Sequence, residues 1–327
     1  ANCHNNSVWF RAMGWLFGDK WQQQARLDGK TAVITGSNSG VGFYTALDYY
    51  KRGCRVILAC RNRSKTKTAA NLIKTTCSDL KHVGEVEIVS LDLSSLQSVR
   101  DCASQLLNQE STIHILVNNA GVVMHERELT KDGYEIQFAT NHLGHFLLTL
   151  LLLPRLLRSA PARIINVTSE PHCIANSIDF DDINCEKSFF YHTAYSQTKL
   201  ANILFTNELV NRLKSARVTD VTVYSVNPGA VDTQLSGDFA AMILPGLGWL
   251  YSKFKWMVMQ SGELGARTTV YCGVANETAH QTGLYYTNCQ IAEPPTAAKN
   301  EKMAKLLWQK SLAMTQFDRN ANPFKLD

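Results

Sequence analysis

The chain has 327 residues, 45% hydrophobic and 19% charged, which excludes a disordered chain and leaves room for a substantial core. Its net charge of +5 is mild, and the basic residues (Arg61, Arg63, Lys65, Lys67 and Lys74 among them) are scattered, so nucleic acid is not an expected partner. Nine cysteines without a Cys-x-x-Cys pair read as reduced, mostly buried thiols of a cytosol-facing protein, with no metal site.

Residues 1–28 form a Trp-rich amphipathic extension. Val8, Trp9, Phe10, Met13, Trp15, Leu16, Phe17 and Trp21 stand among only three charges, Arg11, Asp19 and Lys20. Such a stretch suits a membrane interface, and equally a segment packed on the protein's own surface. The chain begins with Ala1, so an upstream anchor stays open. No run reaches the ~18 apolar residues of a membrane span. The longest, residues 146–153, is interrupted by Thr149 and closed by Pro154.

From Lys30 onward, β-branched runs at 31–35, 55–60, 86–91, 113–118, 163–169, 221–227 and 283–287 alternate with helical periodicity at 39–52, 63–77, 94–108, 131–159, 192–215 and 260–275. Strands apolar on both faces, separated by helices, predict an α/β fold. The expected architecture is a Rossmann-type doubly wound parallel sheet of about seven strands in a single domain over 29–313. That domain includes a final helix near 297–313, and 314–327 is a tail. In such sheets, ligands sit at the carboxyl ends of the strands.

Those ends carry the chemistry. Thr35 is followed by Gly36, Ser37, Asn38, Ser39, Gly40, Val41 and Gly42, a turn that brings backbone N–H groups up to a pyrophosphate at a helix N-terminus. The bland reading is a plain strand–helix turn. About twenty residues on, where an NAD site wants a carboxylate, the chain reads Ala59-Cys60-Arg61-Asn62-Arg63. Guanidiniums there suit a 2′-phosphate, hence NADP(H), against a solvated basic pair. Asp92, before Leu93, is placed to accept from an adenine amino group or to cap a helix. Asn118, Asn119, Ala120 and Gly121 end a strand on small residues that let backbone approach a cofactor. Asn141 interrupts an apolar helix and so needs a task. Ser169 ends another strand. Pro228, Gly229, Val231 and Thr233 offer backbone and hydroxyl groups to a carboxamide. Finally, Tyr195 and Lys199 are four apart on one helix, and a neighbouring ammonium is expected to lower the phenol's pKa.

Together and in this order, these residues resemble the short-chain dehydrogenase/reductase family over about 29–290. The resemblance implies cofactor binding by Thr35, Gly36, Gly40 and Gly42 and by Asn118–Gly121, with Asn141, Ser169, Tyr195 and Lys199 catalytic. Cys60-Arg61, the segment 141–149, Lys199-Leu-Ala-Asn202 and Leu307-Trp308 look like the microsomal retinol dehydrogenase branch. That branch is NADP-preferring and acts on retinoids, although reductases of prenyl aldehydes, steroid ketones or medium-chain aldehydes share the features. It implies reversible hydride transfer with a small lipophilic alcohol/carbonyl pair. Tyr195 would relay the proton, Ser169 hold the substrate oxygen, Lys199 also hold the nicotinamide ribose, and Asn141 position a water. An apolar lid near 234–260 (Phe239, Met242, Trp249, Phe254, Trp256 and neighbours) would set the substrate. The implied location is the cytosolic side of the endoplasmic reticulum membrane, with a soluble cytoplasmic protein as the alternative. A homodimer through the helices carrying 146–153 and Tyr195 and a membrane-bound monomer both stand. So does a different class, an NADP-binding regulator without turnover.

Overall fold

The computed structural model describes residues 25–229, 262–318 and 321–325. Eight strands form one sheet in the order β3-β2-β1-β4-β5-β6-β7-β8. They are β1 (Thr31–Thr35), β2 (Arg55–Cys60), β3 (Glu85–Ser90), β4 (Ile115–Asn118), β5 (Ala162–Val167), β6 (Val221–Asn227), β7 (Leu284–Thr287) and β8 (Gln290–Ala292). The first seven run parallel, and β8 returns antiparallel on β7. The helices between them are α1 (Gly40–Lys51), α2 (Arg63–Thr76), α3 (Leu96–Gln109), α4 (Ile136–Arg158), α5 (Tyr191–Ser215), α6 (Gly262–Val274) and α7 (Glu301–Met314).

Strand alternation sorts the side chains into two layers. Val33, Ile57, Leu116, Ile164 and Val223 face α3, α4, α5 and Trp308 of α7. Ala32, Ile34, Val56, Leu58 and Val117 face α1, α2 and α6. Because both sheet faces are covered, the strands are apolar throughout. The chain order reverses between β1 and β4, which opens a crevice at their carboxyl ends.

Helix α4 is the spine of the first layer. Glu135 begins it, accepting from Gln137 N at 3.0 Å and Phe138 N at 2.8 Å. Ala139–Leu143 then winds as a π turn before the regular helix resumes at Gly144 and passes through Pro154 to Arg158. Long and apolar enough to cross a membrane, α4 nevertheless has 89% of its most apolar 18-residue window buried inside the protein. It is a core helix, and trimming any of its fully buried leucines to Ala costs about 2–5 kcal/mol. The 146–153 run is enclosed by the chain itself, with Phe146 5.0 Å from the Trp308 ring. Arg212 of α5 stacks on Trp308 at 4.3 Å, and His142 of α4 meets Ser311 of α7 at 2.8 Å.

The expected seven strands become eight because the short hairpin at Asn288–Cys289 adds β8. The Trp-rich stretch at 1–24 and the lid at 234–260 lie outside the described residues. Among the described residues, Cys54, Cys60, Cys77, Cys102 and Cys272 are buried free thiols, and Cys173, Cys185 and Cys289 are partly buried ones.

Candidate active site

The site is assembled at the carboxyl ends of β1, β4 and β5, from loops that small residues allow to touch. Gly36 has φ +64°, and a Cβ there would stand 2.8 Å from Ala120 Cα. Gly42 is pressed as tightly, its missing side chain leaving room for Asn119 Nδ2 and Gly36 O. The glycine spacing therefore does two jobs, turning the chain after β1 and letting the β4 loop lie against α1. Thr35 ties these loops. Its hydroxyl accepts from Asn119 N at 2.9 Å and Ala120 N at 3.0 Å. Asn119 in turn donates to Thr35 O at 2.9 Å.

Around this hub the residues singled out from sequence divide. Ser37 turns its hydroxyl inward to Ile34 O, so only its backbone serves the turn. Ser39, at the N-cap of α1, makes no side-chain cap bond, and the first turn holds no acid. The amides of Gly40, Val41 and Gly42 thus lack a capping side chain, as an anion site requires. Asn38 lies in the same turn. Asp92 accepts from Ser94 N and Ser94 Oγ, and the cap of α3 is Ser95 instead. Leu93 is core, its carbonyl lying where a side chain on Gly144 would be. Asn118 is buried in a ladder, donating to Thr149 Oγ1 and Asn166 Oδ1, which joins β4 to β5 and α4. Pro228 and Gly229 end β6, with Gly229 N held by Asn227 Oδ1. Val231 and Thr233 lie outside the described residues.

At the start of α2, Arg61 is exposed at the end of β2, and Asn62 caps the helix by accepting from Lys65 N. Arg61, Arg63 and Lys65 therefore cluster at a helix N-terminus with no acid in its first turn. Cations are disfavoured there by the helix dipole unless an anion joins them.

The reacting end is built on α4, α5 and the segment after β5. Tyr195 and Lys199 project from the same face of α5. Both are buried, and the ammonium stands 5.6 Å from the phenol ring centre. Ser169 lies close enough to the Tyr195 phenol to pull its pKa down. Asn141 sits in the π turn, fully buried. Its Oδ1 accepts from Val122 N at 2.8 Å, and its Nδ2 donates to Val122 O at 3.0 Å and Thr198 Oγ1 at 3.1 Å. Gly121 closes the group: a Cβ there would lie 3.3 Å from Lys199 Nζ and 3.4 Å from Asn141 Oδ1. Asn141 and Lys199, nearly sixty residues apart, thus converge beside the Gly121 backbone, with Tyr195 next to Lys199 and Ser169 next to Tyr195.

One electrostatic expectation changes. Burial pushes the Tyr195 phenol up to about 12, and the opposing pull comes from Ser169, not from Lys199. Burial also brings Lys199 down to about 8. Desolvation disfavours both charged forms, and it outweighs a cation 5.6 Å away. The Asn141 carboxamide is bonded to Val122 and Thr198. Its described bonds fix the Gly121–Val122 turn against α5. Two residues went unnoticed in the sequence. His172 holds Ser169 O through Nδ1, and His145 lies between Thr35 and Asn141. A lone histidine gives no local signal of such a role.

A glycine turn under an uncapped helix, paired with a buried Tyr-x3-Lys and a serine on the phenol, defines a nicotinamide-dependent oxidoreductase site. The family model for short chain dehydrogenases matches residues 30–243, and the chain belongs to that family. It is 39% identical to human retinol dehydrogenase 13 over 298 residues, covering 91% of this chain and 88% of that one. Against mouse retinol dehydrogenase 12 it is 41% identical over 286 residues, 88% of this chain and 86% of the relative. An uncharacterized protein of Mycobacterium paratuberculosis superposes with TM-score 0.70 at 33% identity, covering 89% and 95% of the two chains. L-sorbose reductase of Gluconobacter frateurii, solved with NADPH and L-sorbose, shares the fold at TM-score 0.63 and 22% identity, over 81% and 96%. The protein is an oxidoreductase of the alcohol dehydrogenase type, in a family that binds NAD or NADP.

Proposed function

We propose that the protein transfers hydride between NADP(H) and a lipophilic alcohol/carbonyl pair, retinol and retinal foremost. The observation that carries the reading is the convergence of Asn141 and Lys199 at the Gly121 turn, with Tyr195 next to Lys199 and Ser169 next to Tyr195. Gly36, Asn38, Ser39, Gly40, Val41 and Gly42 would hold the pyrophosphate through backbone amides. Arg61 would meet the 2′-phosphate and resolve the crowd of cations at the start of α2. Ala120 and Gly121 leave clearance for the cofactor beside Lys199, and Pro228, Gly229, Val231 and Thr233 would border its carboxamide. When bound, the nicotinamide supplies or accepts the hydride.

The chain's own residues handle the proton. With its pKa near 12, the Tyr195 phenol is protonated at neutral pH and ready to donate to a developing alkoxide. In the oxidising direction it must accept, and a charged Lys199 beside it eases that step. Ser169 holds the substrate oxygen against the phenol, its carbonyl fixed by His172.

The retinoid assignment is supported by the similarity to retinol dehydrogenases. Two apolar side chains near the reacting helix are exposed, Phe190 at 70% and Ile174 at 51%, on a cleft that Asn176, Asp179, Asp182 and Gln197 also line. A membrane surface as the source of substrate, with the Trp-rich residues 1–24 as the contact, belongs to the same reading. The deciding experiment compares kcat/KM for all-trans-retinal, farnesal, a steroid ketone and a simple aldehyde with NADPH and NADH. Retinal with NADPH should lead, and Arg61→Ala should narrow the NADPH preference by about tenfold. Preference for NADH, or a simple aldehyde matching retinal, would overturn the corresponding part. Binding of NADPH without turnover of any of the four would leave a regulator.

A further inference from the structure

The glycine turn and the catalytic π turn belong to different loops, and one buried side chain spans the gap. His145 is 2% exposed. Its Nε2 lies 2.8 Å from Thr35 Oγ1, and its Nδ1 lies 3.1 Å from Asn141 O. The neighbours fix the tautomer. A backbone carbonyl only accepts, so Nδ1 carries the hydrogen. The neutral ring then presents a bare Nε2, which takes the Thr35 hydroxyl hydrogen. Both lone pairs of that hydroxyl are already occupied by Asn119 N and Ala120 N. Every hydrogen-bonding position of Thr35 and His145 is thereby filled. Gly144, which lets α4 close onto Leu93 O, brings the ring into this gap.

We infer that His145 is a positioning residue that locks the loops flooring the cofactor crevice to the π turn carrying Asn141. The inference rests on the functional reading given above, which makes Thr35 part of the cofactor side and Asn141 part of the catalytic side. Only a neutral ring serves the bridge. A charged imidazole would place N–H against the Thr35 hydroxyl and leave that hydroxyl's hydrogen only Val117 O, at 3.4 Å. The surroundings keep it neutral, since burial lowers His145 to about 4 and the Lys199 charge pushes the same way.

The two nitrogens can be tested separately. An Asn at 145 keeps an amide donor near the Nδ1 position and nothing at Nε2. A Gln reaches the Nε2 position and leaves Nδ1 empty. His145→Asn should keep kcat for retinal reduction within about threefold, while the NADPH dissociation constant, read by fluorescence, rises about fivefold, as one hydrogen bond's loss allows. His145→Gln should do the reverse, with NADPH affinity nearly kept and kcat lowered by about twentyfold through misplacement of Asn141. His145→Leu should lose both. An imidazole 15N spectrum of the wild type should show the Nδ1–H tautomer, unchanged from pH 5 to 9. Parallel losses of kcat and affinity in all three variants, scaling with their melting temperatures, would reduce His145 to a packing residue. An Nε2–H tautomer, or a ring that titrates near pH 6.5, would also overturn the bridge. If the wild type binds NADPH without turnover, the functional reading fails alone, and the tautomer and the affinities still decide the bridge.

Discussion

The two ends of the sheet treat their cations in opposite ways. At the amino ends of the strands, Arg55 of β2 meets Glu110 at 2.9 Å through both Nε and Nη2, and Glu85 as well. Arg163 of β5 closes the end of α6, donating to Cys272 O, Thr278 Oγ1 and Ala275 O within 2.9 Å. At the carboxyl ends, Lys199 is placed deeper than either arginine, yet among the described residues no carboxylate lies within ion-pair distance. Its described hydrogen-bond partner is Val167 O at 3.4 Å. A cation wrapped in acceptors holds a fold together. One left short of partners at a crevice is available to a ligand and is shifted toward neutrality meanwhile.

That contrast can be broken at either end. The largest effect belongs to the reacting pair: Tyr195→Phe should lower kcat by about 10²–10⁴-fold with NADPH affinity and melting temperature kept. Lys199→Met should lower kcat comparably and weaken NADPH as well, and a variant that lost rate alone would remove the ribose contact from Lys199. At the other end, Arg163→Met should cost about 2–4 kcal/mol in denaturant unfolding, because it strands the α6 carbonyls, while turnover per folded molecule is unchanged. Smaller is Gly121→Ala. Its methyl would crowd Lys199 Nζ and Asn141 Oδ1, so kcat/KM should fall about tenfold with little change in stability.

The remaining tests vary pH, and their signs differ between groups. Lys199, lowered to about 8, is charged below that pH and neutral above it. The KM for NADPH should therefore rise as pH passes 8, and Lys199→Met should flatten that rise. His142 and His145, lowered to about 3 and about 4, stay neutral in the fold while the unfolded chain takes up protons below 6.5. The contribution of these two rings to stability should be constant above that value and be lost as pH drops from 6.5 toward 4, a loss that melting curves would follow. A flat melting temperature over that interval would mean the rings are charged in place.

Much of this was legible in the residues. Seven parallel strands followed from β-branched runs such as Val33–Ile34 and Val221–Val226, since burial on both faces demands them. The site followed from strand-end residues that only a crevice brings together. β8 was missed because its turn is Asn288-Cys289, with φ of +51° and +58° and no glycine to announce it. The π turn was hidden because no residue preference distinguishes it from the helix around it. The downward shift expected for Tyr195 failed for a related reason: spacing shows which charge is near, but not how much water has been removed. His145 and His172 looked like isolated polar residues until the fold supplied the carbonyls they hold.

The packing of α7 also has a meaning in time. Trp308 fills the layer between α4 and α5, so the helix that bears Tyr195 keeps an uncovered apolar flank until a segment some ninety residues downstream of it has been made. At ribosomal speeds of about 5–20 residues per second, that wait is roughly 5–20 s for each nascent chain. During it, the reacting residues can be in place while their support is not. The late helix α7 completes that layer, and a chain that ends before it leaves the α4–α5 flank exposed.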